Sequence, residues 1–148
     1  MKKNEQRVRT SFLNSILGKP WVANAKGPDA YDCYHLAQYI QKTLFGREMP
    51  DIEVPADPTW GYIIDQIENN PERAKWREVP NSMFNIVKAA DGALVAMAAS
   101  QRAAHIGVWL KPEQLIVHTD KPDGVVFQDL TTIRAYGWQR LRFYEPVE

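Results

Sequence analysis

The sequence predicts an α+β fold, with N-terminal helices packed on a five- to six-stranded antiparallel sheet. Three observations carry that expectation. The first half of the chain spaces its apolar residues with a helical period. The second half sets short β-rich runs between turn residues. The length of 148 residues suits one domain, which at this size buries about 68–70% of its unfolded surface.

Residues 5–17 form the first predicted helix, with Phe12, Leu13, Ile16 and Leu17 on one face, and Gly18-Lys19-Pro20 stops it. Trp21 to Tyr31 is a loop marked by Gly27-Pro28-Asp29. Asp32 is a good N-cap for a second helix over 33–45, and Gly46 is its C′ residue. Cys33, Leu36, Ala37, Ile40 and Leu44 share one face of it. Pro50, Pro55 and Pro58 keep 47–58 irregular. Pro58-Thr59 opens a third helix reaching Asn69, with Trp60, Ile63, Ile64 and Ile67 inward. Pro71 to Trp76 adds a turn, and Pro80-Asn81 begins a linker.

Strands follow over 92–99, 105–110, 114–119 and 125–129. Lys111-Pro112-Glu113 joins the second to the third. Lys121-Pro122-Asp123-Gly124 is a turn with glycine where φ > 0 is needed. Residues 131–136 make a helical turn, and 138–144 closes the sheet. In that last strand Gln139, Leu141 and Phe143 alternate against Arg140, Arg142 and Tyr144.

Composition excludes several functions. Eighteen basic and eighteen acidic residues give zero formal charge, which argues against a nucleic-acid or membrane-surface partner. The longest apolar run, Ala93 to Ala99, is far short of the roughly 20 residues a membrane span needs. The polar start, Met1 to Arg7, leads into no apolar signal region, so synthesis in the cytoplasm without a signal peptide is expected. Arg7, Arg9, Arg73, Arg134, Arg140 and Arg142 are scattered and read as solvated faces; Arg102, close to His105, reads as a loop residue. Trp60, Trp76, Trp109 and Trp138 suit core or groove positions.

The chemistry centres on the lone cysteine, Cys33. It follows an N-cap, where unpaired N–H groups and the helix dipole favour a thiolate. A small buried apolar residue is the plain alternative. A hairpin loop centred between Lys111 and Pro112 sets Trp109 opposite Gln114 and His105 opposite His118. Opposed residues share a sheet face, so one imidazole can take a thiol proton while the other orients it. Gly107 leaves room on that face for a packed helix end. His35 lies about 200° around its helix from Cys33 and reads as a flank or groove residue. Cys33, His105 and His118 match no zinc spacing, and Asp120 and Asp123 match no metal loop, so no metal or cofactor is expected.

Over residues 8–146 the chain resembles the NlpC family of papain-like cysteine peptidases, which cut bacterial cell-wall peptides. The carrying motifs are Gly18-Lys19-Pro20-Trp21, the loop from Gly27 to Asp32-Cys33-Tyr34-His35-Leu36, and Phe45-Gly46-Arg47-Glu48-Met49-Pro50. Gly92-Ala93-Leu94-Val95, His105-Ile106-Gly107-Val108-Trp109 and His118 complete them. The phage-tail branch is most similar, in that loop and in the closing Leu141-Arg142-Phe143-Tyr144-Glu145-Pro146.

The resemblance implies a single domain over 1–148, with 47–85 as a Pro- and Trp-containing insertion lining the groove. It implies Cys33 as nucleophile, His105 as general base and acid, and His118 as orienting residue. Trp21, Asp32, Tyr34 and His35 become substrate contacts. The implied substrate is a peptidoglycan stem peptide, and the implied partners are phage tail proteins that deliver the chain to the wall. Trp21 stands where the family has Tyr, Tyr34-His35 where it has Ser-Gly, and Ala93 where it has Asp. A structural tail-tip role, or amidase or acyl-transfer chemistry on the same three residues, are the alternatives.

Overall fold

The computed structural model describes residues 2–69, 76–80, 86–100 and 102–147. Three helices come first: α1 (Lys3–Ile16), α2 (Cys33–Phe45) and α3 (Trp60–Glu68). Then come β1 (Trp76–Val79), β2 (Leu94–Ala99), β3 (Arg102–Leu110), β4 (Leu115–Asp120), β5 (Gly124–Gln128), the short α4 (Leu130–Ala135) and β6 (Arg140–Pro146). The strands form one antiparallel sheet in the order β1-β6-β2-β3-β4-β5. The α+β class and the helix-then-sheet order are therefore as expected.

Local chemistry sets the helix ends. Asp32 caps α2 by accepting from the His35 N–H at 2.7 Å, and Gly46 closes it at φ 64°. Thr59 caps α3 through the Tyr62 N–H, and Asp129 caps α4 through the Thr132 N–H. Leu17 lies just past α1 and is exposed, not on its buried face. Among the described residues, no helix is long and apolar enough to cross a membrane.

The alternation of the strands divides the core. Leu94, Ala96, Ile106, Val108 and Val117 face the helices, packing on Leu36, Ala37 and Ile40 of α2 and Ile63 and Ile67 of α3. Val95, Met97, Trp109, Ile116 and Phe143 point the other way, onto Ile133 and Trp138. Arg9 corrects the reading of solvated arginines. It is buried, and its guanidinium meets Asp91 and Glu113, each at 2.7 Å. Burial works against its charge, but the two carboxylates prevail and hold its pKa above the usual value.

Two further expectations change. Trp76–Val79 is a strand rather than the end of a turn, and pairs with β6 from Trp76↔Pro146 to Val79↔Phe143. Its partner is distant in sequence, so nothing local marks it. The 71–75 part of the expected turn, residues 81–85 of the linker and Arg73 lie outside the described residues, as does the side chain of Arg102.

The β3–β4 register is the second. The pairs are Leu110↔Leu115, Trp109↔Ile116 and Val108↔Val117, so the loop spans four residues and His105 does not oppose His118. Gln114 takes the left-handed conformation at φ 57°, and its N–H closes on the Lys111 carbonyl at 3.2 Å. The slip is two residues, which leaves both histidines on one face. Gly124, at φ 70°, has the expected conformation; a Cβ there would lie 2.3 Å from the Lys19 carbonyl oxygen.

Candidate active site

The site forms where the sheet opens. The β3–β4 ladder ends at Val108↔Val117, although β3 reaches back to Arg102 and β4 on to Asp120. A cavity of about 340 Å³ lies beyond that point. Ala104 and His105 line it from β3, Asp32 and Cys33 from the start of α2, and Asp120, Lys121 and Pro122 from the end of β4 and its turn. Val54 to Pro58 form a further wall, and Trp21, Ala23 and Asn24 another. Two hydrogen bonds fix the Val54–Pro58 wall: Val54 N–H to Asn24 Oδ1 at 3.1 Å, and Ala104 N–H to the Pro58 carbonyl at 2.8 Å. Among the described residues of the expected 47–85 insertion, this Pro-rich stretch lines the cavity.

Cys33 is 4% exposed. The nearby backbone N–H groups of Ile106, Tyr34 and Cys33 itself favour the thiolate. Burial outweighs them, and the Asp32 carboxylate adds repulsion, so the thiol is pushed up to about 12. Burial thus works against the thiolate that the helix N-terminus favours. A raised pKa favours the protonated thiol, and a thiol in that state needs a base before it can act as a nucleophile.

His105 shares the cavity with Cys33, and it also sits between two rings. Trp138 stacks on it with 5.2 Å between centroids and 14° between planes. His118 meets it edge-to-face at 5.1 Å and 88°. His118 is buried, and its Nε2 lies 2.7 Å from Oε1 of Gln128 on β5. The histidine pair is thus brought together, diagonally and not by direct opposition. Gly107 makes room for β4 and not for a helix end: a Cβ there would lie 2.8 Å from the Val117 carbonyl oxygen.

Of the four expected substrate contacts, Trp21 and Asp32 line the cavity, and Tyr34 and His35 do not. Tyr34 is buried on the far side of the helix start, where its hydroxyl donates to the Pro50 carbonyl. His35 is 1% exposed, with Nδ1 2.8 Å from Asp32 Oδ1. Both large side chains fill core space, so they do not narrow the cavity. Across the mouth, Lys121 pairs with Asp57 at 3.1 Å and lies over the Trp21 ring at 5.0 Å. Away from the cavity, Arg140 and Arg142 both lie over Trp60, at 5.3 and 5.5 Å. Among the described residues, no group of three or more His, Cys, Asp or Glu could hold a metal.

Asp120, Lys121 and Pro122 line the cavity although the sequence marks them only as a turn, and Trp138 and Gln128 also join the site unannounced. Trp138 was open to several roles, and only the structure puts it on His105. Gln128 carried one available signal, a polar side chain at the end of the apolar run Val125-Val126-Phe127.

No family model and no curated protein matches this chain. Its fold is similar to that of a solved NlpC/p60 domain of the peptidoglycan hydrolase SagA. The TM-score is 0.53, with 15% identity over 90% of this chain and 93% of that one.

Proposed function

We propose that this chain is a cysteine hydrolase of amide bonds in peptidoglycan stem peptides. The observation that carries the proposal is the cavity itself, which holds a thiol at a helix N-terminus beside an imidazole braced by two rings. The similarity to a peptidoglycan-hydrolase domain supports the substrate class. The cavity volume lies in the range of small-ligand pockets, which suits a short peptide.

The reaction follows from the groups present. His105 takes the Cys33 proton, and the sulfur attacks the amide carbonyl carbon. Charge gathers on the carbonyl oxygen, where the Cys33 N–H at the start of α2 can meet it. The C–N bond then breaks, and His105 returns the proton to the leaving amine. Water, deprotonated by His105, hydrolyses the thioester and frees the thiol. His118 orients His105, and Trp21 and Asp32 contact the substrate. The setting we propose is a phage or prophage tail, on the likeness of the Gly27–Leu36 loop and of the closing strand to that branch. In that setting tail proteins are the partners, and the virion carries the chain to the wall.

One observation favours a second reading. A thiol this buried, and pushed up to about 12, suits a chain that keeps the fold as a structural or binding component of a tail tip with little catalysis. Purified cell walls distinguish the readings. The native chain is expected to release soluble peptides with a new amine and a new carboxyl, read by mass spectrometry, and Cys33→Ala none. Equal release by Cys33→Ala overturns the hydrolase reading. No release by either, with wall or tail binding intact, supports the second. Products carrying a new acyl acceptor in place of water indicate acyl transfer on the same residues.

A further inference from the structure

The mechanism above needs one imidazole to gain a proton while its neighbour stays neutral. Two histidine rings with centroids 5.1 Å apart cannot both be cations cheaply. The structure contains a device that assigns the roles. His118 Nε2 lies 2.7 Å from the side-chain oxygen of Gln128, and both residues are buried. A carboxamide oxygen only accepts, so Nε2 of His118 carries the proton. A neutral His118 then has its lone pair on Nδ1. The partner's lack of charge matters as much as its geometry. A carboxylate in its place would draw a second proton onto His118 and turn it into a cation beside His105.

We infer that Gln128 is a positioning residue that holds His118 as the neutral Nε2–H tautomer, so that His105 is the imidazole of the pair that takes up the proton. The inference rests on the proposed catalytic role of His105, but its physical content is a protonation pattern that can be read without any substrate. The other ionisable groups around His105 along the cavity are Asp32, Cys33, Asp57, Asp120 and Lys121. Neither Gln128 nor His118 lines that cavity, so Gln128 acts through the histidine pair.

The test is nitrogen-detected NMR of the imidazoles in the full-length native chain and in Gln128→Glu and Gln128→Leu, followed through a pH titration. In the native chain His118 is expected as the Nε2–H tautomer, with His105 gaining its proton at the higher pH of the two. Gln128→Glu should raise the His118 midpoint by about 1–3 pH units, so that His118 protonates first. Gln128→Leu should give His118 a mixture of tautomers. A native His118 in the Nδ1–H form overturns the inference, as does a His118 midpoint indifferent to Gln128→Glu. A wild-type chain with the expected tautomer that hydrolyses no wall peptide contradicts the proposed function and leaves this assignment standing. Gln128→Asn, which keeps the carboxamide, checks that loss of folding is not the cause of any change.

Discussion

The two faces of the sheet hold the two halves of the site under different rules. The helix-facing side carries Cys33 at a helix end, packed among Leu36, Ala37, Ile106 and other apolar side chains. The opposite side carries His105 and His118, packed on Trp138 with Gln128 behind. One face gives the thiol a dry place and raises its pKa; the other gives the imidazoles aromatic walls and a polar anchor. They meet at one cavity beyond the end of the β3–β4 ladder, lined by Cys33, His105 and Trp138. A buried thiol and a ring-braced imidazole are thus placed by different elements, and the cavity they share joins them.

Removing one face's contribution should break that arrangement most. Cys33→Ala should abolish hydrolysis, on the order of a 10³-fold loss or more, while circular dichroism and the thermal midpoint stay close to native. Loss of folding in that variant would make Cys33 a packing residue instead. On the other face, Trp138→Leu removes the ring stacked on His105. It should lower kcat about tenfold more than it raises KM, since Trp138 is placed to fix the imidazole plane. An unchanged kcat would reduce Trp138 to core packing.

The helix-facing side makes a separate prediction about stability. Arg9→Met leaves Asp91 and Glu113 facing each other without their cation. It should cost on the order of 3 kcal/mol in denaturant unfolding, with activity per folded molecule unchanged. A cost below about 0.5 kcal/mol would mean that water compensates the carboxylates.

The smallest effect concerns pH. The folded-state pKa of Cys33 is raised by burial, above the unfolded thiol value of about 8.5. The unfolded chain therefore loses this proton first. The stability contribution is complete below that value and is lost as pH rises through it towards about 12. Wild type should lose stability faster than Cys33→Ala between about pH 8.5 and 10, below the range where tyrosines titrate. Parallel curves would show that the thiol is more hydrated than its burial implies.

The legibility of the sequence divides along the same lines. Asp32, Cys33 and Gly46 marked α2 because caps are local chemistry. His105 and His118 were placed on one face because a period of two survives a register slip of two. The slip itself was not legible, since Gln114 enters the left-handed conformation without being glycine. β1 was missed because Trp76–Val79 gains its strand character only from β6. Tyr34 and His35 were assigned to the cavity by position, but their side chains found Pro50 and Asp32 instead. Nothing in a string of residues shows that Trp138 would stack on His105, because that contact depends on how the last strand returns to the sheet.

The central claim is that Cys33 carries an acyl group during turnover. Intact-protein mass spectrometry on acid-quenched mixtures with stem peptides tests it directly. The expected result is an adduct with the mass of the acyl half of the substrate, localised to Cys33, appearing and decaying as product forms, and absent from Cys33→Ala. Product formation at an undiminished rate in Cys33→Ala, with no adduct on the native chain, would contradict it.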